Sequence, residues 1–296
     1  MGDHAVYVVG AGGQLGRALM ARTFGGGAPI GFGSAELDVT DAAAVASALA
    51  GLGPGDVVIN AAAYTDVDGA ETDRAAAYAV NAAGPAHLAE VTAAAGARLI
   101  HVSTDYVFTG EAARTVPFEP ADLDPEAAPT TVYGASKLAG EWAALRGDPT
   151  ATVVRTSWVF TGGPDSNDFV GTMRRLEAAR PEISVVDDQR GSPTYVDDLA
   201  DGLVELVEQT WVVPAATAGK VMHATGAGDG TWCDLARAVF AGVGADPQRV
   251  HPCTTADFPR PAPRPAFSVL SNDSWRAAGL TPLRDWRAAL TASLDR

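Results

Sequence analysis

Tyr133 and Lys137 have the residue types and the spacing for proton transfer to a carbonyl oxygen. Only two of the chain's 21 lysine and arginine residues are lysines, Lys137 and Lys220. Residues four apart share one face of a helix, so the phenol and the ammonium can point at one site. An ammonium beside a phenol lowers the phenol's pKa, ordinarily about 10, and makes it a better acid near neutral pH. Surface helices often carry this spacing, so the alternative is a half-buried helix tyrosine.

A second set of polar residues follows the strand candidate Arg98–Ser103, beginning with Thr104 and Asp105. In a doubly wound sheet the carboxyl ends of the strands face the ligand crevice, so both side chains should project there. A threonine hydroxyl at that edge can hydrogen-bond a carbonyl oxygen while Tyr133 donates a proton to it. The sequence therefore predicts Tyr133, Lys137 and Thr104 as catalytic residues.

The elements that must position these residues alternate along the first half of the chain. The strand candidates are Ala5–Gly10, Pro29–Phe32, Asp56–Asn60, Arg98–Ser103 and Thr152–Ser157, and alanine-rich helix candidates are Gln14–Phe24, Asp41–Leu49 and Asp73–Ala95. This alternation predicts an α/β fold with a doubly wound parallel (Rossmann) sheet covered by helices on both faces. Pro85 lies inside the third helix candidate, where it kinks the helix or divides it.

The regular alternation of strand and helix candidates changes after Ser157. The candidates there are a helix at Phe169–Ala179, a strand at Ile183–Asp187, a helix at Tyr195–Gln209 and a strand at Val221–Ala224 that returns to the main sheet. We predict a dinucleotide-binding Rossmann domain from residues 1–160 and about 188–225. Residues of about 161–187 and 226–296 then form a smaller C-terminal substrate-binding subdomain.

A glycine-rich turn, Gly10-Ala-Gly-Gly13-Gln-Leu-Gly16-Arg17, joins the first strand to the first helix. Such glycines let the backbone turn tightly and approach a pyrophosphate, and the helix N-terminus supplies unpaired N–H groups. A purely structural turn is the weaker interpretation. No acid directly follows the second strand, so a 2′-phosphate has room there, with Arg17 or Arg22 as its partner. NADPH is favoured, NADH stays possible, and Asp38-Val39 should contact adenine or fix its loop.

Composition excludes several classes of function. The formal charge of −15 argues against binding to nucleic acid or to an anionic membrane. The two cysteines, Cys233 and Cys253, form neither a disulfide framework nor a metal cluster. The N-terminus runs almost directly into Ala5–Gly10 without a basic leader, and no apolar stretch reaches the roughly 20 residues needed to span a bilayer. We therefore expect a cytoplasmic protein.

These motifs together carry a resemblance that covers residue 5 to about residue 270. The matching segments are Gly10–Gly16, Asn60–Glu71, Ser103–Phe108, Tyr133–Lys137, Arg155–Val159 and Asp188–Thr194. The chain resembles the extended short-chain dehydrogenase/reductases, most closely the dTDP-4-dehydrorhamnose reductases. The resemblance implies that NADPH reduces the 4-keto group of a dTDP-4-dehydro-6-deoxy-L-hexose, converting dTDP-4-dehydro-L-rhamnose to dTDP-L-rhamnose.

The resemblance also implies a role for each site residue. Tyr133 would protonate the developing alkoxide with help from Thr104, while Lys137 would hold the nicotinamide ribose and lower the tyrosine pKa. The residues expected to contact the dTDP-sugar are Thr104, Asp105, Tyr106, Trp158 and Arg264. Arg260 and Arg264 either pair with the diphosphate or are solvated, and the sequence favours neither interpretation. Those expected to contact the cofactor are Gly10, Gly13, Gln14, Leu15, Gly16, Arg17, Asp38, Val39, Ala62, Ala63, Tyr64, Thr65, Tyr133 and Lys137.

Several alternatives stay open at this point. Related 4,6-dehydratases carry a glutamate where this chain has Tyr106, so elimination is disfavoured. The spacing of the motifs cannot distinguish this reaction from reduction of another dTDP-4-ketohexose, in deoxysugar or dihydrostreptose formation. The regulatory subunit of methionine adenosyltransferase is similar but non-catalytic, and an intact Tyr133, Lys137 and Thr104 argues against that role. The first helix lacks the acid through which some relatives bind magnesium, so we predict no metal and a monomer rather than a metal-bridged dimer.

Overall fold

Six parallel strands form the central sheet of the described chain; across the sheet they follow the order Ile30–Phe32, Val6–Val9, Val57–Asn60, Arg98–Thr104, Thr152–Thr156 and Val221–His223. The computed structural model describes residues 4–110, 113–124, 126 and 128–295. The strands of this sheet are β1 (Val6–Val9), β2 (Ile30–Phe32), β3 (Val57–Asn60), β4 (Arg98–Thr104), β5 (Thr152–Thr156) and β10 (Val221–His223). Val57, Val58 and Ile59 are fully buried, as expected for β-branched residues in a strand covered on both faces. The predicted doubly wound α/β fold is confirmed.

The helices of the first half cover both faces of the sheet. They are α1 (Gln14–Met20), α2 (Ala42–Ala48), α3 (Val67–Thr72), α4 (Arg74–Tyr78), α5 (Gly84–Ala95) and α6 (Val132–Gly147). Side chains cap several of them: Asp41 accepts hydrogen bonds at the start of α2, and Thr131 accepts one from the Gly134 amide at the start of α6. Chain order reverses between β1 and β3, which places a crevice between the loops that follow these two strands.

The third helix candidate departs from prediction. It is divided into α4 and α5 by a π-helical turn at Ala79–Ala83 rather than by Pro85, which lies in the first turn of α5, where a missing N–H costs nothing. The turn carries Asn81, whose side chain bonds both backbone polar groups of Tyr64 and donates to Ser136 Oγ at 3.0 Å. These contacts tie the loop after β3 to α6. Helix α1 also ends before the predicted Phe24, which pairs instead with Gly27 in a tight turn.

The second half of the chain adds one strand to the central sheet, a long helix that packs against α1, and a set of shorter strands and helices. Its elements are β6 (Val159–Phe160), α7 (Phe169–Ala179), β7 (Ile183–Val186), β8 (Arg190–Gly191), β9 (Thr194–Tyr195), α8 (Val196–Val212), α9 (Pro214–Thr217), β11 (Gly230–Thr231), α10 (Trp232–Gly242), β12 (Val250–Cys253), α11 (Asp273–Ala277) and α12 (Trp286–Leu294). Strands β7 and β12 pair in parallel, and β10 joins the central sheet beside β5 as predicted. One buried apolar cluster runs from Val154 in the sheet to Phe240 in α10.

The division into two domains stays a prediction. Residues 1–3, 111, 112, 125 and 127 of the predicted Rossmann domain, and residue 296 of the predicted subdomain, lie outside the described residues. Among the helices that the structure describes, none combines the length and the apolar character needed to cross a bilayer.

Candidate functional site

Three adjoining cavities lie along the carboxyl edge of the sheet, and the first is formed by the glycine-rich turn. This glycine-loop cavity has a volume of about 610 Å³ and is lined by Gly10, Gly12, Gly13, Gly33, Ser34, Leu37, Asp38, Val39, Ala61, Ala62, Ala63, Tyr64 and Val80. Gly10 has a φ of 87°, and a Cβ there would lie 2.5 Å from the Ala62 amide nitrogen. Only glycine therefore lets the loops after β1 and β3 touch.

The second cavity contains Tyr133 and Lys137. This tyrosine cavity has a volume of about 580 Å³, and its lining comes from both halves of the chain: Gly13, Gln14, Leu15, Ala61, Ala63, Thr65, Val102, Ser103, Tyr133, Lys137, Thr156, Trp158, Val159, Phe160, Asn167, Asp168, Phe169, Trp232 and Leu235. It shares Gly13, Ala61 and Ala63 with the glycine-loop cavity, so the two are continuous. Together they form one crevice at the carboxyl ends of β1, β3 and β4.

Helix α6 holds the tyrosine and the lysine on one face. Its N-terminus is fixed by the Thr131 cap and by Glu71 Oε1, which accepts a hydrogen bond from the Val132 amide at 2.9 Å. Lys137 is buried and donates from Nζ to the backbone oxygen of Val102 at 2.7 Å. The ammonium is thereby held against β4 at the base of the tyrosine cavity.

Burial dominates the electrostatics of this pair. It raises the pKa of Tyr133 to about 12, against the lowering effect of a hydrogen bond with Thr104. It also lowers the pKa of Lys137 to about 8, against the raising effect of nearby Glu141. Desolvation of the phenolate is the largest cause, and the charge of Asp105 raises the pKa further. The lowering expected from Lys137 and the nicotinamide stays a prediction. The phenol is protonated at neutral pH.

Thr104 and Asp105 are buried behind the surface of the tyrosine cavity. Thr104 Oγ1 donates to Asp105 Oδ1 at 3.0 Å and accepts from the Tyr106 amide at 3.2 Å. Within the described residues, Asp105 Oδ2 and Ser268 Oγ are buried without a hydrogen-bond partner. Burial raises the pKa of Asp105 to about 6, although it is lowered by the nearby Ser268 hydroxyl, which lacks hydrogen-bond geometry to the carboxylate, and by the Thr104 hydroxyl. A buried carboxylate with an unsatisfied oxygen is costly, and the role of Asp105 as a substrate contact stays a prediction.

Two tryptophans form one wall of the tyrosine cavity. Trp158 and Trp232 stack with ring centroids 3.5 Å apart, and Phe169 packs against Trp232 at 4.6 Å. Trp158 is the one non-glycine residue with positive φ (47°) in the described backbone, a strained conformation for a bulky side chain. Its indole lies over Gly191, where a Cβ would be 2.5 Å from a ring carbon. Trp232 was missed in the sequence, because nothing local links it to Trp158.

The third cavity contains the two arginines of the proline-rich tail. This arginine cavity has a volume of about 360 Å³ and an apolar lining with a few polar residues: Tyr106, Phe169, Thr172, Met173, Leu176, Ile183, Ser184, Val185, Val186, Gln189, Trp232, Phe258, Arg260 and Arg264. It shares Phe169 and Trp232 with the tyrosine cavity. Arg264 Nη2 lies 2.9 Å from Asp68 Oδ2, a contact that sequence spacing gave no signal for.

The remaining predicted cofactor residues divide into two groups. Asp38 and Val39 line the glycine-loop cavity, and a hydrogen bond from Thr40 lowers the pKa of Asp38. Gly16 lines neither cofactor cavity and instead packs closely against Gly10, which seats α1 on the sheet. Arg17 is exposed, and its Nε donates to the Gly12 carbonyl at 2.8 Å.

The suggestion that Arg22 binds a 2′-phosphate is wrong. Its guanidinium contacts Asp197 and Asp201 of α8, each at 2.9 Å, so it serves to fix α1 against α8. No group of three or more His, Cys, Asp or Glu side chains in the described ranges is arranged to hold a metal ion. That the protein requires no metal stays a prediction.

The fold and this crevice define a nucleotide-binding oxidoreductase of the extended short-chain dehydrogenase/reductase class. The family model described as the RmlD substrate binding domain matches residues 4–296, and the chain belongs to this family. A dTDP-4-dehydrorhamnose reductase of Mycobacterium tuberculosis is 53% identical over 292 residues, covering 98% of this chain and 92% of that protein.

Two crystal structures are similar over the full length of the chain. A dTDP-4-dehydrorhamnose reductase from Clostridium acetobutylicum has 36% identity and a TM-score of 0.88, covering 98% of both chains. The dTDP-4-dehydrorhamnose reductase of Bacillus anthracis, in complex with NADP, has 34% identity and a TM-score of 0.86, covering 99% of both chains.

Proposed function

We propose that this protein catalyses NADPH-dependent reduction of the 4-keto group of dTDP-4-dehydro-L-rhamnose to give dTDP-L-rhamnose. The observation that carries the proposal is the continuity of the three cavities. Tyr133 and Lys137 line the middle cavity, which shares walls with the glycine-loop cavity on one side and with the arginine cavity on the other. A dinucleotide in the first two cavities and a sugar nucleotide reaching in from the third would meet at Tyr133.

The chain's own residues fit NADPH. The turn between Gly10 and Gly13 leaves room for phosphate, because a Cβ at Gly12 would have nothing within 4 Å. Gly13 precedes α1, whose first turn carries no side-chain cap and no acid. The helix N–H groups are therefore available to an anion. NADPH supplies, when bound, a hydride for the carbonyl carbon of the substrate.

Tyr133 serves as the proton donor to the alkoxide oxygen that forms at carbon 4. A phenol with a pKa of about 12 is protonated at neutral pH, yet it is still a stronger acid than a secondary alcohol. The proton therefore moves in the direction of reduction. In the proposed step the Thr104 hydroxyl turns its proton from Asp105 Oδ1 to the alkoxide oxygen. Lys137, fixed by the Val102 carbonyl, places positive charge where negative charge develops.

The substrate side is formed by Asp105, Tyr106, Trp158 and Arg264. Asp105 is buried and lines none of the three cavities, so its proposed bond to a sugar hydroxyl requires the side chains in front of it to move. The strained Trp158 indole walls the sugar, and Arg264 faces the cavity suited to the nucleotide diphosphate. Tyr106 packs edge-on against Tyr133 at 5.5 Å, and burial raises its pKa far above neutrality. It cannot act as the base of an elimination, which favours simple reduction.

The test is loss of NADPH absorbance with a panel of dTDP-4-keto-6-deoxyhexoses. We expect the fastest turnover with dTDP-4-dehydro-L-rhamnose. Tyr133→Phe should bind NADPH with unchanged affinity and lose most turnover, by roughly 100-fold or more, because the proton donor is removed. Turnover of Tyr133→Phe at the wild-type rate would refute Tyr133 as the proton donor. Faster turnover of another ketohexose would identify that sugar as the substrate instead.

We also propose that the protein is a monomer that needs no metal. Helix α1 has no acid in its first turn and lacks the carboxylate that a metal-bridged dimer of this kind would use. Light scattering after size-exclusion chromatography, with and without magnesium and a chelator, tests this. A dimer that dissociates on chelation would contradict it.

A further inference from the structure

Helix α3 connects the cofactor side of the crevice to its substrate side. It follows the loop of Ala62 to Thr65 and carries two acids that no step of the proposed reaction uses, Asp68 and Glu71. Glu71 accepts a hydrogen bond from the first amide of α6, the helix of Tyr133. Asp68 reaches in the other direction, to the proline-rich tail that lines the arginine cavity.

Asp68 makes three contacts with that tail. Its Oδ1 accepts a hydrogen bond from the Ala262 amide at 3.2 Å, and its Oδ2 accepts one from Arg264 Nη2 at 2.9 Å. Arg260 Nη1 lies 3.6 Å from the same oxygen. Arg264 also donates from Nη1 to the Ala262 carbonyl at 2.9 Å, which closes a small ring of bonds around the carboxylate. Asp68 and the tail residues that it contacts lie nearly 200 positions apart along the chain.

The environment makes this carboxylate an anchor rather than a solvated surface charge. The exposed fraction of the side chain is 23% for Asp68 and 19% for Arg264, against 56% for Arg260. Partial burial raises the pKa of Asp68, but the bonds from Arg264 and Ala262 outweigh it and hold the pKa below its usual value. The carboxylate is therefore charged throughout the neutral range. Pairing with it orders a segment that contains four prolines between positions 259 and 265 but lies outside any helix or strand.

We infer that Asp68 is a positioning residue for the sugar nucleotide: it holds the Arg260–Arg264 segment against α3 so that Arg264 is placed for the diphosphate before the substrate arrives. The inference rests on the proposed function for the identity of the ligand. Preorganisation of this kind strengthens binding, because the segment does not have to be ordered when the nucleotide binds. The opposite possibility is that Asp68 merely competes with the diphosphate for the arginines, in which case its removal would tighten binding.

The experiment measures dTDP binding by calorimetry, steady-state kinetics and NADPH binding in Asp68→Ala, Asp68→Asn and Arg264→Ala. We expect Asp68→Ala to weaken dTDP binding and to raise the KM for the dTDP-sugar by about 10-fold, the effect of a lost charged hydrogen bond. Asp68→Asn keeps an acceptor for the Ala262 amide and should lie between Asp68→Ala and the wild type. In both variants kcat should stay within about twofold and NADPH binding should be unchanged, because neither Tyr133 nor the glycine loop is altered.

Asp73→Ala is the matched control. Asp73 is an exposed acid that caps α4 and accepts a hydrogen bond from the Ala76 amide, so its removal changes the net charge equally without touching the tail. It should leave dTDP affinity at the wild-type value. If Asp68 acts through Arg264, the double variant Asp68→Ala/Arg264→Ala should bind dTDP no more weakly than Arg264→Ala alone.

The outcomes separate this inference from the proposed function. Tighter or unchanged dTDP binding in Asp68→Ala overturns the inference, as does full additivity with Arg264→Ala or an equal loss of NADPH affinity. If the wild-type protein binds dTDP and the Asp68 effect appears, but no dTDP-4-keto sugar is turned over, then the proposed function fails and the positioning role stands. If turnover is normal and the Asp68 variants match the wild type, the inference alone fails.

Discussion

Replacing Asp105 by asparagine should stabilise the protein while it impairs turnover. The carboxyl group is buried, and its Oδ2 has no partner in the described part of the chain. Asparagine keeps an oxygen to accept the hydrogen bond from Thr104 and adds an amide that can donate to the unsatisfied Ser268 hydroxyl. The change therefore removes a buried charge and satisfies a second buried polar group, but it also removes the carboxylate proposed to hold a sugar hydroxyl.

The size of the stabilisation follows from proton linkage. Burial raises the pKa of Asp105 from 3.8 to about 6, a difference of roughly 2 units at about 1.4 kcal/mol each. A raised folded-state pKa stabilises the fold fully below pH 3.8, and that stability is lost as the pH rises through 6. Above pH 7 the charged carboxylate thus costs about 3 kcal/mol, and at pH 5 about half as much. The gain in Asp105→Asn should follow the same dependence.

Urea unfolding at pH 7.5 and pH 5, with equal m-values for the compared proteins, measures this difference. Asp148→Asn is a suitable control, because Asp148 is also buried but accepts hydrogen bonds from Thr92 and Thr150. It should lose about 1–3 kcal/mol of stability instead of gaining any. A gain in Asp105→Asn of the same size at both pH values, or none at pH 7.5, would refute the attribution to a buried charge.

Three further perturbations test the site and its support. Gly191→Ala places a methyl group 2.5 Å from the Trp158 ring, so we expect kcat to fall on the order of 100-fold with little change in NADPH affinity; wild-type kinetics would show that the indole does not position substrate. Glu141→Gln leaves the buried guanidinium of Arg155 without its carboxylate. The free energy of unfolding in urea should fall by about 3–5 kcal/mol, and a fall of less than about 1 kcal/mol would contradict this. Burial lowers the pKa of Lys137 to about 8, so the lysine loses its charge as the pH rises through about 8, and kcat/KM should fall with it. A value of kcat/KM that stays level to about pH 10 would contradict a role for that charge.

The fold was predictable because its signals are local. The runs at β1 and β3 are short, β-branched and bounded by glycine or polar residues, and α2 between them has its Asp41 cap next to it in sequence. The π-helical turn at Ala79–Ala83 was not predictable in this way, because Asn81 is held there by Tyr64 and Ser136, which lie 17 and 55 residues away. Tertiary contacts decide such a position, and composition does not.

The candidate site divides along the same line. Tyr133 and Lys137 were found because helical spacing relates them, and the glycine turn was found because one short segment carries it. The contact of Asp68 with Arg264 joins positions 196 residues apart, and no periodicity relates them. The raised pKa of Tyr133 was also out of reach, because it depends on how completely the folded chain excludes water.

The distribution of charge explains how an acidic protein can hold two anionic ligands. The formal charge is −15, yet the glycine-loop cavity has no lysine or arginine in its lining and offers backbone amides to a pyrophosphate. The arginine cavity has two arginines, and the carboxylate of Asp68 keeps both at its edge. Under the proposed function this positive charge serves the substrate diphosphate, in the cavity that adjoins the one containing Tyr133. We therefore propose that the two ligands are distinguished by which cavity presents fixed amides and which presents paired guanidinium groups.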